Sequence, residues 1–93
     1  MRSGTELITQ ERERQKTEEK YTGEHDDAHT DEELARFAAF YAHPDNPNPS
    51  ELYPKNWDKK WDKRKNHTRV RQLAIAGALC AAEIDRLQRE ELK

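Results

Sequence analysis

TRVRQLAIAGALCAAEIDRLQREEL, residues 68–92, decides the fold class. Within it Val70, Leu73, Gly77, Cys80, Ala81, Ile84 and Leu87 recur at three- and four-residue steps, the rhythm of one helix face. Ile75 and Leu79 lie elsewhere on the wheel, so the middle turns are apolar nearly all round. A helix of that kind is expected to be buried between neighbours. Gly77 weakens a helix interior by about 1 kcal/mol relative to alanine, so close packing against another helix is expected there. After Leu87 the stretch turns polar and projects into solvent or into a partner.

Working back towards the N-terminus, a second helix is expected over residues 30–43. Thr30 and Glu33 have capping-box spacing, and Asp31, Glu32 and Glu33 place acids where the helix dipole favours them. Leu34, Phe37, Ala38 and Tyr41 make one apolar stripe with Phe40 beside it, and Ala35, Ala39 and Ala42 form a small-residue side suited to close approach. His43-Pro44 ends this helix, because the residue before a proline is pushed out of the α region. A first helix is expected over residues 5–20, started by Ser3 and Glu6. Its inward face continues from Leu7 and Ile8 through Glu11, Arg12, Gln15 and Glu19, which are all polar. Either the helix is solvated, or it lends polar groups to a site.

Between the second and third helices, Pro44, Pro47, Pro49 and Pro54 forbid a continuous helix, so residues 44–67 form an irregular linker. Leu52, Tyr53, Trp57 and Trp61 anchor it in part, with Trp57 and Trp61 sharing a face of any short helix there. The expected architecture is thus all-α: a three-helix protomer forming one helical domain over residues 1–93. Charged residues make up 39% of the chain and apolar ones only 32%, so a lone protomer has little to bury and a helical oligomer is the natural remedy. The longest apolar run, Leu73 to Ala82, is too short to span a bilayer. MRSGTELITQERER lacks the apolar core of a signal peptide, so a cytoplasmic location is expected. Cys80, the one cysteine, is expected to be a buried and inert thiol.

The formal net charge of -2 conceals a separation. From Lys55 to Arg71 eight Lys and Arg stand against two Asp; from Glu18 to Glu33 eight acids stand against Lys20. One reading has the two blocks facing each other. The other starts from Lys63, Arg64, Lys65, Arg69 and Arg71, which crowd a helix N-terminus that already carries partial positive charge. Cations there make sense if an anion binds, and phosphate suits both the charge and the unpaired N–H groups. Trp57 or Trp61 would then stack on a base.

His25-Asp26-Asp27-Ala28-His29 is the most chemically suggestive stretch. Two imidazoles and two carboxylates admit an exchangeable divalent metal such as Mg or Mn as cofactor. They equally suit a turn in which Asp and His cap N–H groups or pair with cations. No Ser-His-Asp arrangement or glycine-rich phosphate loop is present, and no catalytic residue is assigned.

ERERQ (11–15), EHDDAH (24–29), ELARFAAFYA (33–42), the Trp-containing linker and RQLAIAGALCAAEIDRL (71–87) together resemble a family of short all-α proteins of tailed phages and prophages. That family's pattern runs ERxRQ, HDDxH, ELAxAAxxYA and AGALxxAEIxRL. The sequence departs from it at Glu32, where glycine is expected, and at Thr22-Gly23, where Thr-Pro is expected. The resemblance implies a phage accessory protein acting in host cytoplasm, in nucleotide metabolism, host takeover or evasion of host defence, and it supplies no catalytic residues. A weaker similarity is to MazG-type nucleotide pyrophosphohydrolases. Only Glu33, Glu83 and Asp85 are placed to imitate their acidic site, and the paired acid spacing is absent.

The expectation that follows is a protein that binds a phosphate-bearing small molecule without turning it over, sequestering a host nucleotide signal. Lys63, Arg64, Arg69 and Arg71 would hold phosphate, Trp57 or Trp61 would stack, and His25, Asp26, Asp27, His29, Glu11 and Gln15 would add polar contacts. The alternatives are a metal-dependent nucleotide hydrolase using the HDDxH acids, and an inhibitor of a host defence complex using the acidic face.

Overall fold

The computed structural model describes residues 1–20, 22–28, 30, 32–43 and 67–92. These form four helices, α1 (Gly4–Thr17), α2 (Gly23–Asp27), α3 (Glu33–Ala42) and α4 (Arg69–Glu91), and no strand occurs among the described residues. The fold is therefore all-α, with one helix more than the sequence pattern predicts. Among the described residues no helix is long and apolar enough to cross a membrane.

Local capping sets most of the boundaries. Ser3 caps α1 by accepting from the Glu6 N–H, and Thr68 caps α4 by accepting from the Arg71 N–H. The added helix, α2, is capped by Thr22, which accepts from the His25 N–H, and it carries Glu24 and Asp26 in its only full turn. A threonine followed by acids is a legible start signal, but the single turn is too short to show an apolar rhythm. For α3 the expected Thr30–Glu33 box does not form. The N-cap is Glu32, in the left-handed region (φ 60°, ψ 30°) and without a side-chain cap hydrogen bond. That backbone is the conformation glycine adopts most readily.

α4 is the central element, and α1, α2 and α3 all pack on it. Its packed arc is Ala74, Ile75, Ala76, Ala78, Leu79 and Ala82. Ile75, Ala76, Leu79 and Ala82 meet Leu34, Ala38, Phe40 and Tyr41 of α3 to form the core. Phe40, fully buried, sets its ring edge-on to Tyr41 at 5.8 Å between centroids, a favoured aromatic geometry. Two face assignments from the sequence are corrected here. Close approach is provided by the alanines of α4, whereas Ala39 of α3 faces solvent. Val70, Leu73, Ile84 and Leu87, on the arc that the sequence marks for burial, are exposed, and so is the Cys80 thiol. Gly77 sits under α1: a Cβ placed on it would lie 2.6 Å from Ile8 Cδ1.

Candidate functional site

The polar inward face of α1 is real. Glu11, Arg12 and Gln15 are buried, and each draws its surroundings from a different part of the chain.

Glu11 joins two arginines. Its Oε1 accepts from Arg14 Nε at 2.5 Å, and its Oε2 accepts from Arg71 Nε at 3.0 Å, across 60 residues of chain. Arg14 also donates to Glu19 at 2.9 Å. Burial on its own lowers the Arg14 pKa, but the hydrogen bonds to Glu19 and Glu11 outweigh it and hold the guanidinium above its ordinary value. Arg71 uses only Nε on Glu11 among the described residues, and its side chain remains 44% exposed. These groups line a cleft of about 360 Å³ between α1 and the first turn of α4, with Leu7, Gln10, Thr68, Val70 and Ala74 completing its walls.

Arg12 reaches the other way. Its Nη2 donates to Asp26 Oδ2 at 3.1 Å and lies 4.0 Å from Asp85 Oδ2. Asp26 is fully buried, and its second oxygen lies 3.1 Å from His25 Nδ1. Asp27 takes two nitrogens of Arg89, at 2.8 and 3.0 Å, and Arg89 also donates to the Gly23 carbonyl at 3.3 Å. The Arg89 pKa is raised, first by its hydrogen bond to Asp27 and then by the charges of Asp27, Asp26 and Asp85, against a smaller opposing effect of burial. The short helix α2 is thus clasped between an arginine of α1 and an arginine of α4. Of the two readings of the HDDxH stretch, the described residues adopt the ion-paired one, and among them no group of three or more His, Cys, Asp or Glu could hold a metal ion.

Arg69 has a further role. Its guanidinium donates to the carbonyls of Tyr41 at 3.1 Å, of His43 at 3.5 Å and of Ala42. These are the terminal carbonyls of α3, where a cation complements the negative end of the helix dipole. Arg69 and Arg71 therefore do not crowd α4 without compensation: one caps α3 and the other pairs with Glu11. The partner of Arg71 lies outside the acidic block at 18–33, so the simple picture of two facing blocks does not hold for it. Asp26 and Asp27, inside that block, pair with Arg12 and Arg89, which lie outside the basic one.

The structure thus divides the residues singled out by the sequence. Glu11 and Arg71 meet in the α1–α4 cleft, whereas His25, Asp26 and Asp27 belong to the α2 clasp. Gln15, 2% exposed, is buried, and its Oε1 finds no hydrogen-bond partner among the described residues. His29, Trp57, Trp61, Lys63 and Arg64 lie outside the described residues. Sequence reasoning missed Arg14 and Arg89 as partners of Glu11 and Asp27, and it missed the buried pair of Arg86 with Glu83. Two of these had a local signal, because Glu11–Arg14 and Glu83–Arg86 have the three-residue spacing of helix ion pairs. Arg89–Asp27 spans 62 residues and had none.

Compared with protein-family models, curated proteins and solved structures, the chain finds no match.

Proposed function

We propose that this protein is a phage accessory protein that binds a phosphate-bearing small molecule in the α1–α4 cleft, as an oligomer and without chemical turnover, sequestering a nucleotide signal of the host. The observation that carries the reading is the cleft itself. It lies at the first turn of a 23-residue helix and holds two guanidiniums, one of them open to solvent. Its volume is near the lower end for small-molecule sites, and its mixture of Leu7, Val70 and Ala74 with a few polar groups is their usual lining. Glu11 already occupies the place of an anion between Arg14 and Arg71, orienting both. An incoming phosphate would engage the outer edge of the Arg71 fork and the N–H groups at the start of α4.

The proposed contacts change accordingly. Arg71 stays, Arg14 takes the place of Arg69, and Gln10 takes that of the HDDxH groups. The hydrolase alternative is weakened by the ion pairs of Asp26 and Asp27, since a metal would have to displace Arg12 from a fully buried carboxylate. The inhibitor alternative retains Glu18, Glu24 and Glu32 as exposed acids.

Calorimetric titration with pyrophosphate and a nucleotide panel tests the reading. Binding of at least one member is expected, weakened about 10- to 100-fold by Arg71→Ala, since hydrogen bonds to charged groups contribute roughly 1.5–3 kcal/mol. A panel that does not bind, or binding indifferent to Arg71→Ala, rejects it.

A further inference from the structure

The two guanidiniums of the α1–α4 cleft are met by three carboxylates. Arg14 is held by Glu11 and Glu19, with Glu18 at 3.7 Å, and Glu11 also holds Arg71. Arg14 therefore brings no uncompensated charge to the cleft. Arg69, the other arginine in the first turn of α4, turns its guanidinium to the terminal carbonyls of α3. What the lining offers an anion is the outer edge of Arg71, whose Nε lies on Glu11 and whose side chain is 44% exposed. Beside it, the Arg71 and Gln72 N–H groups are taken by the Thr68 hydroxyl and carbonyl. The earlier N–H groups of that turn, those of Arg69 and Val70, have no acceptor within the helix. A guanidinium edge and two N–H groups suit the oxygens of one phosphate.

We propose that the cleft selects nucleotides carrying a single phosphate and discriminates against polyphosphates. The inference rests on the reading of the cleft as a phosphate site and names the class of ligand within it. A second phosphate reaching inward would come to Arg14, and there to Glu11, Glu18 and Glu19 as well. Like charges at such short range repel, the more so where the cleft walls exclude water. Turned outward, the second phosphate gains water but no further cation from the lining among the described residues. A diphosphate still binds through one phosphate, only more weakly. The uncharged part of the ligand has its own wall in Leu7, Val70 and Ala74, and a volume of about 360 Å³ suits a body of nucleoside size. Gln10 adds polarity to that wall. Its Oε1 accepts from Arg2 at 2.8 Å, which turns its NH2 group the other way, as a donor for a hydroxyl or a base carbonyl.

Calorimetric titration of the full chain with the mono-, di- and triphosphate of one nucleoside, and with its cyclic monophosphate, tests this at one ionic strength and without added metal. Both single-phosphate forms should bind more tightly than the triphosphate, by about tenfold or more. The tighter of the two identifies the ester, open or cyclic. Glu18→Gln with Glu19→Gln removes two of the repelling charges while keeping an acceptor for Arg14. That chain should gain affinity for the triphosphate and change little towards the monophosphate, so the gap narrows. The ranking on the unaltered chain needs no variant, so a double variant that fails to fold leaves the test intact. Affinity that is level or rises from mono- to triphosphate overturns the proposal. So does a gap that a folded double variant leaves unchanged. A preference for the triphosphate that Arg71→Ala abolishes would sink this inference and leave the cleft as a phosphate site. Binding of no member, or binding indifferent to Arg71→Ala, would sink both.

Discussion

Asp26 is the residue on which the local account turns, because it is a fully buried carboxylate whose charge is met by Arg12. Removing one member of such a pair strands the other charge away from water, at a cost of about 3–5 kcal/mol. Arg12→Ala should therefore lower the urea midpoint by far more than substitution of an exposed arginine such as Arg36. Replacing both partners, by Arg12→Met with Asp26→Leu, should restore much of the loss. A second residue-scale prediction concerns Glu32, whose φ of 60° costs a side-chain-bearing residue roughly 1–2 kcal/mol. Glu32→Gly should leave the protein as stable or raise its thermal midpoint, whereas Glu32→Val should lower it sharply. Glycine adopts this left-handed backbone without the clash that a Cβ brings. By contrast, the fate of His25, Asp26 and Asp27 was not legible. Their chemistry admits a metal or an arginine equally, and only the long-range docking of α1 and α4 brings Arg12 and Arg89 to them.

At the scale of elements, the long helix was legible in its limits and illegible in its orientation. Caps are local, so Ser3 could be read directly from the chain, and Thr68, the cap of α4, stands where the apolar pattern starts that helix. The choice of buried arc is not local. Val70, Leu73, Ile84 and Leu87 carry the stronger hydrophobic rhythm, yet the protomer core takes the alanine-rich arc, because small side chains let α3 and α1 approach α4 closely. Gly77 is the sharpest instance of that approach. With Ile8 Cδ1 and Cγ1 at 2.6 and 2.7 Å from a built Cβ, Gly77→Leu should destabilise by about 1–3 kcal/mol, read by thermal or urea melts. Ile8→Ala in the same chain should recover part of that loss. The junction of α3 and α4 makes a further demand: Arg69→Ala removes a cation from three carbonyls at the end of α3 and should cost about 1 kcal/mol. If crowding at the positive end of α4 dominated instead, the same change would raise the midpoint, and a thermal melt separates the two.

For the molecule as a whole, arginines tie each short helix to α4: Arg71 to Glu11 of α1, Arg89 to Asp27 of α2, and Arg69 to the last carbonyls of α3. Arg86, hydrogen-bonded to Glu83 and Glu90, and Arg89, hydrogen-bonded to Asp27, both have raised pKa values in the folded chain. A group whose folded pKa exceeds its unfolded one contributes stability that is complete below the unfolded value and lost only as pH rises through the folded one. For guanidinium groups that window is strongly alkaline. The Arg86 and Arg89 contributions should therefore hold constant through neutral and moderately alkaline pH, which chemical melts at several pH values would show. The charge segregation seen in the sequence foretold a molecule rich in ion pairs but not which groups pair, since the partners come from both inside and outside the two blocks. Beside the first turn of α4 the outer edge of Arg71 stays open to solvent, and a phosphate is expected to bind there. The most direct test is a titration of isotope-labelled protein with a nucleoside diphosphate, followed by two-dimensional amide and arginine side-chain NMR. The account predicts saturable shifts confined to Gln10, Glu11, Arg14 and the turn from Thr68 to Arg71, abolished by Arg71→Ala. Shifts centred on His25 to Asp27 instead, or none at millimolar ligand, would contradict it.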